Sequence, residues 1–158
     1  MIWSERQSYS EIRKTMSIHR LCVIAPDLYA ALGKASEAQL NVITLSCCRF
    51  AISETDLTNL IVAEVLRELE RGKAVSWTAV DEMKRLADWL DDNYLRQQEA
   101  EGYQSEDFFR KVRAASSVWF ASQAVSSFAF EVVYEVIAAT NNLERVSRLV
   151  REVIVKEK

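Results

Sequence analysis

Histidine occurs once in the chain, at position 19, and that single imidazole bounds much of the chemistry the sequence can offer. A carboxylate-bridged di-iron bundle requires a Glu-x-x-His pattern from each of two helices. His19 alone, with no glutamate at that spacing, does not supply it. Cys22 follows three residues later on the same helical face, and Cys47 and Cys48 sit on the next helix, so a Cys/His zinc site is one reading of these four. Their spacings match no zinc motif, and core or core-edge side chains are the favoured account of them. Arg13 and His19 have the arginine-to-histidine spacing of one class of small helical ribonucleases, but on the first helix and not at a helix end deep in a bundle.

Carboxylate pairs at i,i+4 are the other candidates. Glu64/Glu68 and Asp88/Asp92 are interleaved with Arg67, Arg71, Arg85 and Arg96, which marks a solvated, self-neutralising face. Glu131/Glu135 differ, because they follow an uncharged run on a helix expected to be central. Facing another such pair, they would form a magnesium site of the kind that hydrolyses nucleotides. Buried without a metal they would need cationic partners, which Arg145 or Arg148 could supply, but a solvated pair at the helix end is the favoured reading. No Gly-rich phosphate loop, G-x-S-x-G turn or Ser/His/Asp arrangement is present. No cofactor is implied, and Glu131 and Glu135 are the one metal alternative.

The elements that must position these groups read as helices. The chain has 158 residues, of which 49% are hydrophobic and 27% charged, enough for one domain, 1–158, with a sizeable core. Gly33, Gly72 and Gly102 each stand where a helical pattern ends, and no segment alternates as a strand does. The first helix is expected from about Tyr9, with Ile12, Met16, His19 and Val23 as one stripe, and Pro26 ends it. Others are expected to start at caps Ser36, Thr55 or Asp56, Ser76, Ser105 and Asn141.

The stretch Ser105–Thr140 reads as one long central helix around which the rest packs, giving an all-α bundle of five to six main helices. Its segment Ala114–Phe130 carries no charge over 17 residues. That is short of the roughly 20 residues a bilayer needs, and it holds five serines, so burial in protein and not in lipid is expected. About 35 helical residues would span roughly 50 Å, more than the diameter of near 40 Å of a compact chain this size. Ser116–Ser117 and Ser126–Ser127 are the expected bends.

The formal charge of −3 and dispersed basic residues argue against a nucleic-acid partner. Polar Met1–Ser10 and an odd cysteine count point to a cytoplasmic protein. Aromatics displaced from core stripes are the remaining signal. Trp89, off its helix's apolar face, and the adjacent Trp119 and Phe120 are the candidate partner-binding residues. The expectation is a helical protein that is not an enzyme and acts by binding a protein partner or a second copy of itself, as immunity, antitoxin or adaptor proteins do. A metal-dependent hydrolase and a carrier of an apolar ligand beside Trp119 and the serines are the alternatives.

Overall fold

The computed structural model describes residues 19–102 and 106–156. Among them are eight α-helices and no strand: α1 Arg20–Ile24, α2 Pro26–Lys34, α3 Glu37–Thr55, α4 Leu60–Glu70, α5 Trp77–Glu101, α6 Glu106–Ser122, α7 Ala129–Thr140 and α8 Leu143–Lys156. The all-α bundle is as expected from the sequence. Helices α6 and α7 pack face to face at its centre, and α3 lies across both. On the far side of α6 is α5, with α4 against both, while α8 closes on α3 and α7, and α1 rests on α2 and α7.

Local chemistry sets the helix ends. Ser36 and Gln39 form a reciprocal capping box at the start of α3, and Ser76 caps α5 through the Ala79 amide. Gly72 and Gly102, both at φ +69°, close α4 and α5 in the left-handed region that only glycine enters without penalty. Other termini fall where the periodicity did not put them. Asn59, not Thr55 or Asp56, caps α4, and Asp56 instead closes α3 at φ 52°. Asn142, one residue past the expected Asn141, accepts from the Arg145 amide at 3.0 Å. Gly33 lies within α2 and does not end it. The expected cap Ser105, and most of the expected first helix, lie outside the described residues. Where that helix would run through His19, the backbone is extended (ψ 137°) and His19 itself caps α1.

The long central helix is not continuous. It ends at Ser122, and the chain turns through Gln123–Val125 and a 3₁₀ turn, Ser126–Phe128, into α7. Three acceptors are taken at the break. The Ser122 hydroxyl and Gln123 amide both donate to the Trp119 carbonyl, and the Gln123 and Ala124 backbone amides reach back to Phe120 and Ala121. Ala124 then sits at φ 55°, a conformation that costs a residue with a Cβ about 1–2 kcal/mol. Packing supplies the compensation. Folding back lets α6 and α7 bury each other's apolar surface, which a straight rod would leave in water. Of the two serine pairs expected as bends, Ser126–Ser127 borders the reversal, and Ser116–Ser117 lies inside unbroken helix.

Small side chains make the close packing possible. Ala114, Ala115 and Ser117 on α6 are fully buried, with the Ser117 hydroxyl donating to the Ala114 carbonyl at 2.7 Å, so no polar group is stranded. Val118 on α6, Val132, Val133 and Val136 on α7, and Val146 and Val150 on α8 are fully buried members of one hydrophobic core. Each fully buried valine contributes about 1.5–3 kcal/mol.

The reversal makes a sharp prediction. Ala124→Gly relieves the left-handed strain and is expected to raise stability by about 0.5–1 kcal/mol, or roughly 2–4 °C in Tm. A fall of similar size, the usual cost of glycine inside a helix, would contradict the break.

Candidate functional site

The charged groups singled out by the sequence meet where α1 reaches the α6–α7 hairpin. Glu135, in the middle of α7, is 2% exposed. The Arg113 guanidinium from α6 donates to both its oxygens, at 3.2 and 3.4 Å, and Arg20 from α1 donates to one at 3.3 Å. One turn earlier, Glu131 accepts from Arg20 at 3.0 Å and bonds the His19 Nε2 at 2.7 Å. The imidazole is fully engaged. Its Nδ1 accepts from the Leu21 amide at 3.0 Å as the α1 cap, which assigns the ring proton to Nε2, facing Glu131.

Aromatic rings surround this network. The Arg20 guanidinium lies 4.1 Å from the centre of the Tyr134 ring, and Arg113 lies 5.1 Å from that of Phe109. His19 stacks on Tyr29, which meets Phe130 at 5.0 Å. Apolar walls lower the local dielectric, which strengthens the ion pairs and raises the cost of leaving any member alone.

Burial pushes the Glu135 carboxyl above the ordinary carboxylate range, against the opposing pull of Arg113 and Arg20. For Arg20, burial works downward, but the bond to Glu131 and the charges of Glu135 and Glu131 prevail and move it up. The charges therefore nearly balance, with two carboxylates, two guanidiniums and a neutral imidazole. Such a cluster ties three helices together, and its carboxylates are already occupied by cations.

Glu131 and Glu135 are not the surface pair at a helix end that the sequence favours: Glu135 is enclosed once α7 folds onto α6, and the cationic partners that burial demands are not the ones expected. Arg148 pairs with Glu144 on its own helix, and Arg20 and Arg113 do the work expected of Arg145 or Arg148. Arg113 is 22 residues from Glu135 and comes within reach only because the chain folds back. The facing carboxylate pair of a two-helix metal site is replaced here by guanidiniums. Among the described residues, no three His, Cys, Asp or Glu side chains are grouped to hold a metal ion. Cys47 and Cys48 are fully buried, and burial pushes the Cys48 thiol up to about 12, far from the thiolate a metal requires. Arg13 of the ribonuclease-like spacing lies outside the described residues.

The aromatic candidates separate. Trp89 is 60% exposed on the outer side of α5. Trp119 and Phe120 are half-buried at the end of α6, packed on each other at 4.9 Å and against the core, with the Lys84 ammonium 5.7 Å over the indole. Lys84 and Trp89 are five residues apart on α5, about 140° around its axis, so Trp89 points away from the other two. The void bordered by Phe120 and Ser126 measures about 30 Å³, the volume of a single water and far below that of a fatty acid. Two exposed side chains were not singled out by periodicity: Leu60 at 90% and Trp77 at 85%, both in the first turn of their helices.

Comparison with protein-family models, curated proteins and solved structures finds no match to this chain.

The raised Glu135 carboxyl sets a pH dependence. A group whose folded pKa lies above its unfolded value binds protons preferentially in the native state, so its contribution is full below about pH 4.5 and is lost as pH rises through the folded value. Glu135→Gln keeps the shape and removes this term, while Arg113 and Arg20 can turn toward water. Its stability relative to the wild type is expected to increase as pH rises through that window, with a net cost of about 1–3 kcal/mol at neutral pH for the guanidiniums left without their carboxylate. Denaturant titrations of both proteins from pH 4 to 7 check this, and a relative stability that falls with pH would contradict it.

Proposed function

We propose that this protein works by binding another protein, and that the α4–α5 hairpin is the surface it uses. The observation that carries the reading is Trp89, solvated on the outside of a helix whose other side is already packed. Tryptophan is among the side chains most buried on average, and it is enriched at the energetic centres of protein interfaces. Trp77 and Leu60, the two most exposed large apolar side chains described, belong to the same hairpin. Ile52, Leu57, Leu60, Ala63 and Leu66 line an open apolar groove of about 500 Å³ between α3 and α4. A single exposed apolar residue needs no explanation, whereas several on one layer favour a partner surface.

The chemistry of the remaining candidates supports the same reading. His19, Glu131 and Glu135 are spent on capping α1 and holding the α6–α7 hairpin, the positions a hydrolase would need free. Trp119 and Phe120 contribute to this reading as packing for the bundle's end, which leaves Trp89 as the anchor.

Affinity capture at native expression level, followed by binding measurements with the recovered partner, tests the proposal. Trp89→Ala is expected to weaken binding by roughly 30-fold or more, the effect of an interface anchor worth about 2 kcal/mol, with Tm changed by less than about 2 °C. Unchanged affinity in both Trp89→Ala and Trp77→Ala, or the absence of any partner or self-association, would overturn it.

A further inference from the structure

The turn between α6 and α7 is short and held at a local cost. Only Gln123–Val125 and one 3₁₀ turn, Ser126–Phe128, join the two helices. The amides of Gln123 and Ala124 make long bonds to carbonyls three residues back, at 3.3 and 3.4 Å, and Ala124 lies at φ 55°. Bonds of that kind are poorer in geometry than those of an α-helix. Helices α3, α4, α5 and α8 each begin with a side chain that accepts from an amide of the first turn. Helix α7 begins at Phe128 with none. Residues 124–127 are exposed, the apolar Val125 among them.

The strain and the long bonds disappear if the segment is helical. It holds neither glycine nor proline, so each amide of 123–128 can reach the carbonyl four residues back. Local preference and tertiary packing therefore disagree at this turn. In a single chain packing wins, because a straightened helix would lose the contact between α6 and α7. A second chain removes that penalty. Two straight helices over 106–140, antiparallel and side by side, set α6 of each copy against α7 of the other. The pairing is the one the hairpin already makes within one chain.

We infer that this chain exchanges α7 and α8 with a second copy of itself, through straightening of 123–128, to form a domain-swapped dimer. Arg113 and Arg20 of each copy then hold Glu135 of the other, and His19 bonds the other's Glu131, with the contacts of the monomer preserved. What is new lies at the two-fold axis, where the two former turns meet. Val125, exposed in the monomer, packs there on its counterpart. The closed monomer is the form of the dilute protein, because association costs freedom that concentration must offset. Conversion is slow, since α7 has to leave its own bundle first. The dimer goes beyond the partner surface read at Trp89, as α4 and α5 are not exchanged.

In the test, the full chain is denatured, refolded at low and at high concentration, and separated by size. The concentrated sample is expected to yield a dimer that persists on dilution, with the monomer's amide resonances everywhere but around 123–128. Dimers assembled from a mixture of isotope-labelled and unlabelled chains should show NMR contacts between α6 of one chain and α7 of the other. Ala124→Gly relaxes the turn and weakens the straight helix at both hinges, so it should weaken dimerisation by at least about 30-fold. Ala124→Ile puts a β-branched side chain in the exposed left-handed position and should strengthen it. No dimer in either the wild type or Ala124→Ile, contacts between α6 and α7 that stay within one chain, or a tighter dimer in Ala124→Gly would each overturn the inference.

Discussion

Seventeen consecutive residues without a charge, Ala114–Phe130, are costly to leave in water along a straight helix, and the bundle follows from how the run is enclosed on either side of its exposed turn at 124–127. A straight helix would offer its whole circumference to solvent or to several partners at once. Turning back at Ala124 lets the two halves cover one another, and α3, α5 and α8 then need only cover the remaining faces. The small side chains of α6 are part of the same solution. They allow close approach where larger ones would hold the helices apart, and each serine hydroxyl is returned to its own helix. The strained alanine at the turn is offset by the burial it permits.

The ion cluster is a consequence of this reversal. Once α7 lies against α6, Glu135 is enclosed, and a carboxylate there must be neutralised or matched. Arg113 arrives from the facing helix, and Arg20 and His19 arrive with α1, so one buried group brings three elements into register. Such clusters add little net stability, because desolvation cancels most of the attraction. They do penalise arrangements in which a member is left alone, and the entry of the chain into the bundle at His19 is held in this way.

Much of this was legible in the residues. Stripes at helical spacing, Ser36 and Ser76 as caps, and Gly72 and Gly102 as stops marked the elements, because those signals are local. That Glu131 and Glu135 would need cations if buried was legible from their place beside an uncharged run, whereas their burial was not, since a solvated pair at a helix end was the favoured reading. Their partners were not legible, since Arg113 and Arg20 approach only through tertiary contacts and no spacing encodes them. The break at Gln123–Val125 escaped because it carries neither glycine nor proline. An alanine in a left-handed turn is selected by packing over local preference, so periodicity ran straight through it. Trp89 stood out as off-stripe and is exposed, whereas Trp119 and Phe120 share an end of the core that two adjacent helical positions reach by packing on each other.

The hairpin is the premise for both the buried cluster and the outward-facing α5, so its geometry is the claim to measure. Spin labels on Asp107→Cys and Asn142→Cys, in a Cys22→Ser background, report it without interference from Cys47 and Cys48, which are buried and unreactive. Both labelled positions lie six or seven residues from the Arg113–Glu135 contact, toward the same end of the hairpin. Electron–electron dipolar spectroscopy should then give a separation of about 10–25 Å, two packed helices plus the label arms. A distance near 50 Å, that of 35 residues in one unbroken helix, would contradict the account.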